Sequence, residues 1–267
     1  MAKVRFLRPK ADRAGVAVAI LIIGCGGEQK APQAAAPTVP LAPTISVADG
    51  VRSADISVLY FGNSHTGFHD VPGLVGKMIR FKHPKKKYFH HFRSVGFLED
   101  AARNPGLQKE IEDHPWKFVV LQAQKISVSN RRYSQKDGID LAKAAKARGA
   151  QALFFSEWGR RDVPKDGVVQ ESIYQEMADA AGVRVAPVGR AWDIALAERP
   201  ELQLYAEDGN HETAVGAFLT ACVLYGLLTD SDPAELAHFD YPEASLDDRI
   251  IMADAASAVW KQERKKK

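Results

Sequence analysis

The sequence predicts an α/β fold: a three-layer α/β/α sandwich on a five-stranded parallel sheet. Two observations carry this expectation. Short apolar runs rich in β-formers alternate with longer segments of helical periodicity from residue 56 to residue 262. The first run, residues 56–62, is apolar almost throughout, as a strand covered on both faces must be. Right-handed crossovers then bring every strand's C-terminal end to one edge of the sheet, where sites in such folds form.

The elements follow in order. "ISVLYFG" (56–62) is a first buried strand, and "VPGLVGKMIRFK" (71–82) a helix with Val71, Leu74, Met78 and Ile79 on one face. "KYFHHFRSV" (87–95) is a second strand, residues 98–114 hold one or two helices, and "WKFVVLQA" (116–123) is a third strand. A helix over 137–149 stops at Gly149, a fourth strand covers 150–158, and a helix over 168–182 stops at Gly182. "VRVAPVG" (183–189) is the fifth strand; "ETAVGAFLTACVLYGLL" (212–228) and residues 245–262 are the last helices. Cys222 falls in the apolar pattern of the first of these, as a buried thiol would.

The N-terminus is read separately. Lys3, Arg5, Arg8, Lys10 and Arg13 precede the apolar run "GVAVAILIIG", which has the length of a secretory core rather than of a membrane span. "IIGC" ends at Cys25 and resembles the lipobox of bacterial lipoproteins, which implies cleavage after residue 24 and lipidation of Cys25. Residues 25–50, dominated by Ala and Pro, read as an extended tether, and residues 51–267 as one folded domain. The expected location is the bacterial cell envelope, membrane-anchored through Cys25; Gly26 in place of an acid favours the outer membrane. Without residues 1–24 the chain has 31 basic and 32 acidic side chains, so its net charge of +3 belongs to the leader and gives no case for nucleic-acid binding. The cysteines form no disulfide framework and no CxxC pattern. His83, His90 and His91 lack the helical spacing and the nearby acid of a metal site and read as exposed histidines on a basic strand edge. The sequence is silent on oligomeric state.

Ser64 follows the first strand in "FGNSHT". Alone, it fits a helix N-cap as well as a nucleophile. A serine hydroxyl becomes a nucleophile only beside a base that a third group orients. "EDGNHE" supplies Asp208 and His211 three residues apart, with Gly209 between them to allow a tight turn.

Four motifs then resemble the SGNH (GDSL-type) hydrolases, in the subgroup with GNSxT and DGxH signatures. They are Gly62-Asn63-Ser64-His65-Thr66, Val119 to Gln124, Pro187 to Trp192, and Asp208 to Ala221, spanning residues 56–228 with the rest of the resemblance. The resemblance implies a flavodoxin-like sheet and a carboxylic ester hydrolase, with Ser64 as nucleophile, His211 as general base and Asp208 as its orienting acid. It also implies an oxyanion hole from the N–H of Ser64, the N–H of Gly96 and a third donor. The family's asparagine is missing there; the third strand ends in "LQAQ", so Gln124, or else Gln122, takes its place. His65 and Trp158 are candidates to face the substrate, as are Arg160 and Arg161, for which solvent is the default. This chemistry needs no metal or organic cofactor. The expected substrate is an ester, with carbohydrate O-acetyl groups favoured by fold analogy. The rival reading is a non-catalytic envelope lipoprotein that grips a glycan through Trp158 and the basic edge. Glu212 or Thr213 is the expected cap of the following helix.

Overall fold

A computed structural model describes residues 45–123, 134–163 and 165–266. Five parallel strands, β1 (Ile56–Gly62), β2 (Tyr88–Ser94), β3 (Phe118–Leu121), β4 (Gln151–Ser156) and β5 (Arg184–Pro187), lie in the order β2-β1-β3-β4-β5. Every residue of β1 is buried, and alternation along it sorts the two cores. Val58 and Tyr60 face one core, Leu59 and Phe61 the other.

The first core is covered by α3 (Val71–Lys82), α8 (Val188–Glu198), α9 (Ala214–Thr229) and α10 (Leu246–Arg264). The second is covered by α1 (Val47–Ser53), α4 (Leu98–Ala102), α5 (Pro105–Glu112), α6 (Gln135–Ala147) and α7 (Asp166–Ala181). A single turn of helix, α2 (Ser64–Gly67), follows β1, and a 3-10 turn spans Pro233–Leu236. α9 is buried almost all round, as a helix apolar on every face must be, and Cys222 is fully buried within it. No helix among the described residues is long and apolar enough to cross a membrane.

The five-stranded three-layer fold is the one the sequence predicts. Two local expectations are corrected, and one left open is resolved. The fifth strand stops at Pro187, and Val188 and Gly189 open α8, whose buried Val188, Ala191, Trp192 and Ala195 carry a helical spacing that the strand reading passed over. α1 begins inside the segment assigned to the tether: Ser46 caps it by accepting the Asp49 N–H at 3.1 Å, and Val51 enters the core. Residues 98–114 form two helices, because Asn104 caps a new start at Pro105. Cys25, Gln124 and the leader lie outside the described residues.

The histidine expectation is corrected too. His90 and His91 are half-buried on edge strand β2, and His83 Nε2 lies 3.1 Å from the Tyr225 hydroxyl. Burial holds all three below the ordinary histidine pKa. Among the described residues no group of three His, Cys, Asp or Glu side chains is placed to hold a metal ion.

Candidate active site

β1 and β3 are neighbours from which the chain departs in opposite directions, the switch point at which a crevice opens. β1 ends at Gly62, and a Cβ there would sit 2.4 Å from Thr66 Oγ1 and 2.7 Å from Gln122 Oε1, so the turn closes only around glycine. Asn63, rather than Ser64, caps α2: its Oδ1 accepts the His65 N–H at 3.1 Å. That leaves Ser64 as the first helical residue, with its hydroxyl free of capping duty and its side chain exposed.

The second half of the site is a turn before α9. Tyr205 and Glu212 form an antiparallel bridge, and Ala206 N–H donates to His211 O at 2.8 Å. Gly209, at φ +65°, turns the chain between Asp208 and His211. Arg161 fastens this turn from outside. Its backbone N–H donates to Gly209 O at 2.8 Å, its guanidinium donates to the carbonyls of Tyr205 and Ala206, and it lies over the Tyr205 ring. It is tied to the turn while remaining exposed to solvent.

These two loops bring Ser64, His211 and Asp208 into one hydrogen-bonded line. Ser64 Oγ is 2.8 Å from His211 Nε2, and His211 Nδ1 is 2.5 Å from Asp208 Oδ2. A carboxylate oxygen only accepts, so Nδ1 carries the ring proton and Nε2 presents its lone pair to the serine hydroxyl. The Nδ1–H bond, with the N–H groups of Asn210 and His211 on Oδ1 at 2.9 and 3.0 Å, holds the Asp208 carboxyl well below the usual carboxylate range.

The residues around this line depart from the sequence expectations. His65 is 7 % exposed and turns inward. Its ring stacks on His211 at 5.3 Å between centroids, with its nitrogens 3.2 Å from Asn63 Oδ1 and from Asn210 O. Burial lowers its pKa below the ordinary histidine value. Trp158 is 2 % exposed, stacks on Trp192 at 4.2 Å and donates Nε1–H to Asn210 O at 2.9 Å. Both side chains are buried rather than exposed at the surface, and both pack against the His211 turn from beneath. Phe68, which the sequence reading did not single out, is 63 % exposed and lies 5.7 Å from the His211 ring.

Gln122 is also corrected as an oxyanion donor. It is fully buried, and its two amide hydrogens go to Asn63 Oδ1 at 3.0 Å and Glu157 Oε1 at 2.5 Å. Its Oε1 accepts the Asn63 N–H and the Thr66 hydroxyl, each at 2.8 Å. Nothing is left to offer a ligand. Glu157 is in turn held by the Tyr174 hydroxyl at 3.0 Å. Ser64 N–H and Gly96 N–H, the latter just past the end of β2, meet no acceptor among the described residues. Thr213, not Glu212, caps α9, accepting the Gly216 N–H at 3.2 Å. Glu212 is fully buried, neither carboxyl oxygen has a partner among the described residues, and burial, reinforced by the charges of Asp208 and Glu157, pushes its pKa up to about 8.

No protein-family model matches the chain, and no curated protein matches it. Solved structures do. A protein from Slackia heliotrinireducens assigned to the SGNH hydrolases superposes with a TM-score of 0.52 at 24% identity, over 64% of this chain and 97% of its own. A DUF4886 family protein from Bacteroides uniformis gives 0.52 at 16% identity, over 76% and 94%. An acetyl xylan esterase, AlAXEase, gives 0.51 at 16% identity, over 65% and 100%. At these identities the likeness establishes the fold: this chain is folded as the SGNH hydrolases are.

Proposed function

We propose that the protein is a serine ester hydrolase. The observation that carries the reading is the line from Ser64 Oγ through the His211 ring to Asp208 at the switch point of the sheet. Ser64 Oγ attacks the ester carbonyl while its proton passes to His211 Nε2. The tetrahedral intermediate collapses by breaking the carbonyl–alkoxy bond, and the proton on Nε2 goes to the departing alcohol. Water, deprotonated by the same nitrogen, then attacks the acyl carbon; the bond to Ser64 Oγ breaks, and Nε2 passes the proton to Ser64 Oγ. Asp208 fixes the tautomer and stabilises the imidazolium. The N–H groups of Ser64 and Gly96 are the donors proposed for the oxyanion. Gln124 is the remaining candidate for the third, since Gln122 is committed to Asn63 and Glu157.

Acetyl groups on carbohydrate are the proposed substrate class, on the analogy of the acetyl xylan esterase that shares the fold. The burial of Trp158 weighs against its part in the rival glycan-binding reading, which also invoked the basic edge. Labelling with a fluorophosphonate probe tests the hydrolase. The wild type labels at Ser64, and Ser64→Ala loses labelling and lowers p-nitrophenyl acetate turnover by about 10⁶-fold. A Ser64→Ala protein as active as wild type overturns the reading.

Anchoring to the cell envelope through lipidated Cys25 is a separate proposal, supported by the order of charged start, apolar run and Gly24-Cys25. Incorporation of an alkyne fatty acid into the wild type but not into Cys25→Ser is the expected result; equal incorporation rejects it.

A further inference from the structure

Phe68 contributes little to either core: its ring meets those of His69 and His211, beside the candidate nucleophile. It is 63 % exposed, against 47 % for Phe81, the other strongly exposed phenylalanine among the described residues, whose ring packs on the core residue Phe239 at 5.6 Å. Its backbone is fixed: the Phe68 N–H donates to Ser64 O at 2.9 Å, closing the α2 turn. Residues four apart on a helical turn project to the same side, so Phe68 shares the side of α2 from which Ser64 Oγ reaches His211. Its ring centroid lies 5.7 Å from that of His211, tilted by 38°, and 4.9 Å from that of His69, edge to face. The buried ring of His65 supports His211 from within, and the exposed ring of Phe68 flanks it toward solvent.

In acyl transfer by this line of groups the departing alcohol must sit beside His211 Nε2, because that nitrogen gives it the proton. A group that flanks His211 on the solvent side therefore meets the alcohol portion of the ester rather than the acyl portion. We propose that Phe68 forms a subsite for the leaving alcohol and that this alcohol carries a flat ring with an apolar face, stacked on the phenyl ring. The proposal rests on the esterase reading and deepens it by assigning substrate selectivity to the alcohol side. An aryl ring and the apolar face of a pyranose share this chemistry.

The test keeps the acyl group constant as acetyl and varies the alcohol. Phenyl acetate, an O-acetylated methyl xylopyranoside and ethyl acetate are compared in wild type, Phe68→Ala and Phe68→Trp. For the ring alcohols, Phe68→Ala lowers kcat/KM by about tenfold and Phe68→Trp retains it. Ethyl acetate changes by less than about twofold in every variant, because it has no ring to stack. A greater loss on the xylopyranoside ester identifies a sugar alcohol, and a greater loss on phenyl acetate an aryl alcohol. Equal losses on all three esters would show that Phe68 merely holds His211, and no loss on any would show that it touches no substrate; either overturns the proposal. A wild type that neither labels at Ser64 nor cleaves any of the three esters overturns the esterase reading itself, and is distinguished by failing before any substitution is made.

Discussion

Asn63 and Gln122 are hydrogen-bonded to each other twice: Asn63 N–H donates to Gln122 Oε1 at 2.8 Å, and Gln122 Nε2–H donates back to Asn63 Oδ1 at 3.0 Å. The pair ties the residue before Ser64 to the end of β3 and, through Glu157, to the end of β4. The position of the candidate nucleophile is thus set by the C-terminal ends of three strands.

Replacing Gln122 by Ala strands the Asn63 N–H and the Thr66 hydroxyl and removes one of the bonds to Glu157, whose Oε1 keeps the Tyr174 hydroxyl and the Ala123 N–H. Each unsatisfied group costs about 1–3 kcal/mol. The expected result is a large fall in the urea midpoint and in kcat. A Gln122→Ala protein of wild-type stability would contradict the network.

Glu212 makes stability depend on pH. The folded chain keeps its proton up to about pH 8, whereas an unfolded glutamate loses it near 4.5. The folded state therefore binds more protons between these values, and its stability falls as pH rises across them, by about 3–5 kcal/mol in total. His65, whose pKa burial lowers, acts in the opposite sense below about 6.5. Urea unfolding from pH 6.5 to 8 isolates the carboxyl: Glu212→Gln flattens the decline seen in wild type, and parallel curves would remove Glu212 as its source.

His65, stacked on His211 and buried, is placed to position it. His65→Ala removes the ring stacked beneath His211 and the contact to Asn210 O. kcat is expected to fall by about 10–100-fold with KM nearly unchanged, the signature of a misplaced base. A rise in KM at constant kcat would instead make His65 a substrate contact.

Arg161 acts on the other side of the same turn. Arg161→Ala cuts the guanidinium bonds to the carbonyls of Tyr205 and Ala206 but keeps the backbone bond to Gly209. On the proposed esterase function, activity should fall by about tenfold and recover in part in Arg161→Lys, which can reach one carbonyl as a point charge. No recovery, or no initial loss, would show that the turn holds its shape without the side chain.

Much of the fold was legible because it rests on local pattern. The five apolar runs and their helical spacers required only periodicity, and Asp208 and His211 stood out because a three-residue turn can aim both at one place. α8 was missed because Pro187 and the apolar Val188 read as a continuing strand, although Ala191, Trp192 and Ala195 already held the helical spacing.

The sequence by itself determined the layered architecture, the edge at which the site lies, and the three residues brought into line there, since alternation, handedness and motif order are properties of the chain. Only the tertiary structure decided which polar groups around that line remain free. Gln122, His65 and Trp158 looked available on a one-dimensional reading, but packing from β4, α7 and the Asp208 turn buries them and consumes their hydrogen bonds. Phe68, unremarkable in sequence, is left in solvent beside His211. Burial and hydrogen-bond satisfaction depend on partners some 35 to 150 residues away, and no local pattern records them.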